Sequence, residues 1–550
     1  MELASKPPAW LRRLVRGKKE VTVSATARTT EQTKALTAIE QLVRFALERG
    51  LIESVDEDYA RNLLLEMFGF SEPYLGEEEP EQLEGPQPAL DILIDYAFST
   101  GMLPENTDTY RDLLNAKIMG NLLARPSEML REFNRLAHAH GIEAATNRFY
   151  QLSIDSNYIR MDRVSKNVYW EHESEYGVIE MTINLSKPEK SPKEIAMAKL
   201  LPPPVYPKCL LCRENVGYAG RVNHPARQNL RTIPLTLNGE PWFFQYSPYV
   251  YYNEHCIVFH HDHVPMKLTK DTLRRLLEFV DVYPHYFIGS NADLPIVGGS
   301  ILTHDHFQGG RHTFPIQTAP KEAVFSHPDY AGTTVSIVKW PMSVLRLTGT
   351  DKEILLELAN KIYEDWKQYS DPDADILAFS GEGANKVPHN TVTPIAHRTP
   401  DGSYEMDLVL RNNRTSEEYP AGIFHPHEEM HHIKKENIGL IEVMGLAILP
   451  GRLKEELDLT ADILAGDTEL YDTLVRQENP SLAQHKPWIM ELIAKYGRSR
   501  SKEEAWKLVQ SEVGSIFVEI LGHAGVYKRT EAGQEAFRRF VSHLGCRPVE

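Results

Sequence analysis

Cysteine is scarce in this 550-residue chain: Cys209, Cys212, Cys256 and Cys546 are the whole supply. Four thiols cannot staple a fold of this size, and so low a content suits a reducing compartment. Long apolar runs are missing too. No stretch approaches the roughly 18 apolar residues of a membrane span. The basic stretch around Trp10–Lys19 lacks the apolar core of a secretory signal. A cytoplasmic protein without a membrane partner is expected. Positive charge is in deficit, with 60 Lys and Arg against 77 Asp and Glu and a net charge of -17. That argues against a nucleic-acid or anionic-membrane surface, but not against a locally basic pocket for a small anion. No glycine fingerprint for a dinucleotide follows a strand pattern, so no redox cofactor is implied.

What is present is ordinary globular material: 42% apolar and 25% charged residues, enough to bury real cores. Single cores stop growing at roughly 250–300 residues, so two or three units are expected. Residues 1–150 read as helical. From Ala35 to Leu47 the apolar residues Leu36, Ile39, Val43, Ala46 and Leu47 lie on one helix face, with Gly50 as a cap. Glu77–Pro88 reads as a loop. Helical patterns resume at Leu90–Ala97, Tyr110–Ala124 and Met129–Ala137, with Pro126 as an interruption.

Near residue 150 the character changes. Gly177–Leu185 alternates as a strand does, and the proline-rich Leu201–Pro207 is a connection. Strand-like runs follow at Trp242–Tyr246, Tyr249–Tyr252, Cys256–Phe259 and Ile296–Leu302, with a helical pattern at Leu268–Val280 among them. The alternation recurs in strand-like Thr334–Val338, helical Leu355–Tyr369, and strand-like Tyr404–Arg411 and Gly439–Leu449. The expected fold class is therefore α+β, with two related antiparallel-sheet halves at 151–315 and 316–450. A second helical region, 451–550, carries a stripe of Trp506, Val509, Val513, Ile516 and Ile520.

The most informative stretch is Gly298–Arg311, GGSILTHDHFQGGR. On a strand, alternate side chains share a face, so His304, His306 and Gln308 should point the same way. Glycines on both sides let backbone amides approach a ligand. A neutral imidazole is a competent nucleophile near neutral pH, and the Gln308 amide could hold an oxygen of a reacting phosphate. The alternatives are a chance His-x-His pair, a metal-binding pair, or histidines satisfied in a core.

Pro207–Cys212, PKCLLC, supplies half a zinc site. Two further ligands are needed. His263 and His304 are the preferred candidates and His255 competes with them. The alternative is that Cys209 and Cys212 are free buried thiols.

Four stretches, in order, make the pattern specific: PKCLLCRENVGYAGRVNHPAR from Pro207, FQYSPYVYYNEHCIVFHHDHVPM from Phe244, THDHFQGG from Thr303 and ENIGLIEVMGLAILP from Glu436. Together they resemble the galactose-1-phosphate uridylyltransferases, a branch of the histidine-triad superfamily, in the longer type-2 form of some bacteria. The match is strongest over about 155–450. The resemblance implies two histidine-triad-like halves, flanked by helical regions. It implies ping-pong uridylyl transfer from UDP-glucose to galactose 1-phosphate through a uridylyl-histidine. The nearest alternative is a nucleotide phosphorylase or hydrolase of the same superfamily, and a different class is a zinc-stabilised binding protein without catalysis.

Carried over residue by residue, the resemblance makes His306 the nucleophile and Gln308 the group that holds the transferring phosphate. It places His304 with Cys209, Cys212 and a further histidine around a structural zinc. Asn291 falls near the nucleophile and ribose, and Gly299 and Ser300 on a phosphate-contacting turn. Lys187 and Lys190 fall in a segment like the family's basic phosphate-binding one and could offset diphosphate charge; the alternative is a solvated charged loop. Glu442 fits the residue that meets hexose hydroxyls, and Lys435 the one that meets the sugar phosphate. The shorter enzymes have proline between the two histidines where this chain has Asp305, which is expected not to be catalytic. The cluster His425, His427, His431 and His432 is left without a metal assignment. The resemblance also implies a homodimer.

Overall fold

The computed structural model describes residues 28–76, 81–186, 205–299 and 301–549. Helices fill the described chain up to residue 164, beginning with Thr30–Glu48. Thr29 caps that helix by accepting the Gln32 N–H, and Gln32 returns the bond to the Thr29 backbone. The expected interruption is there: the helix Asp108–Gly120 ends before Pro126, and the proline starts the next one, Pro126–His140, from the first-turn position where its missing N–H costs nothing.

Two strands open the β-rich part, β1 (Val168–Ser174) and β2 (Gly177–Ile183). Then come β3 (Ile233–Leu237), β4 (Glu240–Tyr246), β5 (Cys256–His260), β6 (Phe287–Gly289) and β7 (His306–Gly310). A second set follows: β8 (Lys321–Ser326), β9 (Thr333–Val338), β10 (Val344–Gly349), the short pair β11 (Phe379–Ser380) and β12 (Val387–Pro388), β13 (Asn390–Arg398) and β14 (Tyr404–Asn412). Last are β15 (Leu446–Leu449) and β16 (Arg547–Pro548).

Eleven of these strands form one sheet in the order β16-β8-β9-β10-β14-β13-β6-β7-β5-β4-β3. Its two halves share one plan. Each is a three-strand meander, then a helix, then two strands that return in reversed order. The helices are Lys270–Val282, between β5 and β6, and Lys352–Gln368, between β10 and β13. The halves meet where β6 pairs antiparallel with β13, Gly289 against Ile395 and Ile288 against Ala396. The class is α+β with two such halves, as expected. The strands β1, β2 and β15 stand apart as a three-stranded sheet, with β15 parallel to β2.

One face of the large sheet packs on the two crossover helices and the N-terminal helices in a common core. Phe307 of β7 points into it and stacks on Trp242 at 4.8 Å and 12°. The other face is covered by β1, β2, β15 and the helices Leu453–Leu464 and Lys502–Ala524. In the latter, Val509, Val513 and Ile520 of the expected stripe are buried, while Trp506 and Ile516 pack at its margin.

Three strand expectations are corrected. Tyr249–Tyr252 is a bend, because Ser247 pairs with His255 and closes a loop over the sheet end. The described part of Ile296–Leu302 is turns, with a single bridge from Ala292 to Gly298. In Gly439–Leu449 a helical turn, Leu440–Val443, precedes β15, because the Glu442 carboxylate accepts the Gly439 N–H and closes the turn.

Burial pushes His224, His255 and His432 down to a pKa of about 4. In the unfolded chain each titrates near about 6.5. Between those values the unfolded chain binds more protons, so stability falls as pH drops through that window. Urea melts at about pH 7 and about pH 5 should show the lower midpoint at the acid end. Equal midpoints would contradict this account.

Candidate active site

Strand β7 carries the chemistry. Its neighbours are β5, with Phe259 opposite His306, and β6, with Gly289 opposite Gln308. Phe307 is committed to the helix-covered core, so His306 and Gln308 face the other side. The strand begins only at His306. His304 sits in the preceding turn and does not share their face. Its ring turns toward the cysteines instead.

His306 is buried, and its Nδ1 lies 2.8 Å from the carbonyl oxygen of His304. A carbonyl only accepts, so Nδ1 carries the proton and the lone pair sits on Nε2. Burial pushes the His306 pKa down to about 4, which keeps the imidazole neutral near pH 7. Asp305 is held by its backbone, its N–H to Val264 and its carbonyl to His260, and burial raises its carboxyl to about 6.

Cys209, Cys212, His263 and His304 converge, with one donor atom from each within 4.8 Å of the others. The two sulfurs are 3.5 Å apart. The Nδ1 of His304 is 3.2 Å from Cys209 and that of His263 is 3.3 Å from Cys212. These match the edges of a tetrahedron with bonds of about 2.0–2.3 Å. His304 Nε2 lies 2.8 Å from the His260 carbonyl, so it is protonated and Nδ1 presents its lone pair to the cluster. Without a cation, burial pushes the Cys209 thiol up to about 12. His255, the competing candidate, is elsewhere: its Nε2 meets Gln308 at 3.2 Å.

Asn215 was not visible to sequence reasoning. It is buried, and its amide donates to the carbonyls of Cys209 at 2.9 Å and Cys212 at 2.7 Å. His224 Nε2 holds its oxygen at 2.7 Å. An asparagine three residues beyond a C-x2-C pair carries no signal by itself; only the folded loop shows that it clamps both cysteine carbonyls.

Asn291 follows β6 on the His306 side of the β6–β7 pair, and its Oδ1 accepts the Leu440 N–H at 2.9 Å. Gly299 packs so closely that an added Cβ would fall 2.5 Å from Asn291 Nδ2. The room for a Cβ at Gly309 and Gly310 is likewise filled by the Phe287 carbonyl and the Tyr252 ring, so packing alone requires glycine at both. Asn437 Nδ2 donates to the Gly298 carbonyl at 3.3 Å, a second tie that sequence reasoning missed. Glu442 is buried against Lys434 at 2.7 Å, whereas Lys435 is exposed. Lys187, Lys190 and Ser300 lie outside the described residues.

In the second histidine cluster, His427 is sandwiched between Tyr419 and His523, with ring centroids at 4.2 and 4.0 Å. Donor atoms of His427, Glu429 and His523 also come within 4.8 Å of one another. His425 bonds Asn437 and His431 the Pro426 carbonyl. His432 bonds His485, which reaches Glu456 at 2.9 Å.

The family model for the N-terminal domain of galactose-1-phosphate uridyl transferase matches residues 53–265, and the model for its C-terminal domain matches 278–473. A galactose-1-phosphate uridylyltransferase from Caldanaerobacter subterraneus subsp. tengcongensis is 57% identical over 511 residues, 93% of this chain and 98% of the relative. Those from Bacillus subtilis and Halalkalibacterium halodurans are 52% and 53% identical, over 93% and 92% of this chain and 98% of each relative. This chain belongs to the galactose-1-phosphate uridylyltransferase family. The solved structure of yeast Ap4A phosphorylase Apa2 overlaps at a TM-score of 0.31 with 13% identity, over 56% of this chain and 88% of that one, too loosely to bear on fold or function.

Asn215→Ala removes the side-chain donor of both cysteine carbonyls and leaves each with one backbone N–H, from Cys212 at 3.4 Å and from residue 215 at 3.0 Å. It should cost about 1–3 kcal/mol in urea melts of chelator-treated protein. No loss would mean that the cysteine loop holds its shape without that clamp.

Proposed function

We propose that this protein transfers a uridylyl group from UDP-glucose to galactose 1-phosphate, with His306 as the covalent carrier. The observation that carries the reading is the His306 tautomer. The backbone carbonyl of His304 accepts the Nδ1–H, so the nucleophilic pair is left on Nε2, on a ring that shares its strand face with Gln308. In the first half-reaction Nε2 attacks the α-phosphorus and the bond to glucose 1-phosphate breaks. In the second, the phosphate oxygen of galactose 1-phosphate attacks that phosphorus, the P–N bond breaks and UDP-galactose leaves. The same nucleophile and the same type of leaving group serve both directions, so one preorganised site suffices. Two displacements give net retention at phosphorus.

In this reading Gln308 steadies a non-bridging oxygen, and Asn291, Gly299 and Ser300 line the nucleotide side. Lys187 and Lys190 offset diphosphate charge. Glu442 and Lys435 belong to the hexose phosphate, on the side of the second half, 316–450; residues 151–315 supply the nucleophile. The described helices between Thr30 and Val164 and between Leu453 and His543 cover this core. The setting is the cytoplasm: all four cysteines are free thiols, and no helix among the described residues is long and apolar enough to cross a membrane. A homodimer is the expected assembly, and a monomer in sedimentation would remove it.

Cys209, Cys212, His263 and His304 would hold a structural zinc, whose charge would lower the thiol pKa values and cross-link the 207–212 loop to the turn before β7. Elemental analysis should find one zinc per chain. Chelation should lower the melting temperature before it slows transfer; full stability and activity in metal-free protein would overturn the assignment.

Intact-protein mass after brief incubation with UDP-glucose tests the mechanism. A uridylyl-sized gain is expected in wild type, discharged by galactose 1-phosphate. His306→Gly should show no gain and lose about ten-thousandfold or more in transfer rate. Steady release of glucose 1-phosphate to water or inorganic phosphate would point instead to a hydrolase or phosphorylase. An active wild type that never gains mass would remove the covalent route.

A further inference from the structure

The Gln308 side chain has a fixed companion. His255 ends the loop between β4 and β5 and is 2% exposed. Its Nδ1 lies 2.9 Å from the carbonyl oxygen of Tyr249, and its Nε2 lies 3.2 Å from the Gln308 carboxamide at the end assigned as the oxygen, Oε1. The Tyr252 and Tyr251 rings pack against it at 4.7 and 5.3 Å between centroids.

The hydrogen count follows from these partners. A backbone carbonyl can only accept, so His255 Nδ1 carries a proton. A neutral imidazole has one N–H, which leaves Nε2 as a bare lone pair. Burial keeps the ring neutral, with a pKa of about 4. A lone pair cannot face an amide oxygen favourably. The two ends of a carboxamide exchange by a half-turn, and hydrogen-bond chemistry decides which end faces a neighbour. The end that satisfies His255 is the NH2.

We propose that His255 is a positioning residue for uridylyl transfer: its Nε2 lone pair accepts one amide N–H of Gln308 and aims the other at a non-bridging oxygen of the transferring phosphate. The inference rests on the role given to Gln308 above. Gln308 alone could rotate and offer phosphate either a donor or a repelling oxygen. A neighbour that can only accept removes that ambiguity before substrate arrives, so no reorganisation is needed as charge shifts in the transition state.

Two measurements test it. In resting wild-type protein with 15N-labelled histidine at neutral pH, the His255 ring should show a protonated Nδ1 and an unprotonated Nε2, assigned by its loss in His255→Gln. A proton on Nε2 would overturn the proposal, and this readout needs neither activity nor a variant that folds perfectly. In kinetics, His255→Phe keeps an aromatic ring beside Tyr252 and removes the acceptor. Its kcat should fall between about tenfold and about a hundredfold with the KM for UDP-glucose little changed. His255→Gln restores an acceptor and should recover most of the loss. A Phe variant with wild-type kcat, or a Gln variant no better than Phe, would sink the idea. A purely structural role would lower the melting temperature without separating kcat from KM. Absence of an adduct on wild-type His306 would defeat the functional reading, while the His255 tautomer would still report on its own claim.

Discussion

His304 faces two ways, and the site depends on that. Its ring offers Nδ1 to the thiol cluster, because the His260 carbonyl holds Nε2. Its backbone carbonyl accepts the Nδ1–H of His306 and so decides which nitrogen of that ring is free. One residue thus joins the cluster that anchors the 207–212 loop to the group that meets substrate. Asp305 between them is held at both backbone ends, to Val264 and His260, which sets the span of the two histidines. Displacing the cluster would therefore disturb the nucleophile through three residues of chain.

The two halves share a strand order but not a chemistry. Where the first half has β7 with an imidazole and a carboxamide on one face, the second has β14 with Glu405, Asp407 and Arg411 along one face. There Arg346 grips Asp407 through two bonds of 2.7 and 2.8 Å, and His397 sits 3.4 Å from Glu405. Removing one member of such a buried pair strands the other charge at a cost of about 3–5 kcal/mol. The second half has thus committed its equivalent strand to internal pairing. Its gift to the site is the turn at 437–442, tied to the first half through Asn291 and Gly298.

Much of this was legible in the residues. The helices at Leu268–Val280 and Leu355–Tyr369 were readable because their apolar stripes pack on one sheet face, where periodicity and burial agree. The H-D-H-F-Q run was readable because Phe307 must face away from His306 and Gln308 on a strand. The aromatic and β-branched segments Tyr249–Tyr252 and Ile296–Leu302 misled: Tyr252 and Val297 are buried and their described apolar neighbours half-buried, but from loops that fold over the sheet and not from strands. The three-residue β6 is too short for any pattern, yet it forms the seam between the halves. Asn215 and the partner of His255 were hidden for a different reason: a side chain that holds a backbone carbonyl or orients an amide leaves no spacing rule behind. They exist only once distant loops meet.

The outermost strands of the eleven-stranded sheet are β3 and β16. Each contains a proline, Pro234 in the first and Pro548 in the second. Proline has no N–H to offer an incoming strand, so both rims are blunted against further β-addition. The inner rims of the two halves are consumed by one another at β6 and β13. The eleven-stranded sheet is thus finished as a unit: its register ends at both margins on a residue that cannot pass the backbone ladder on to another strand.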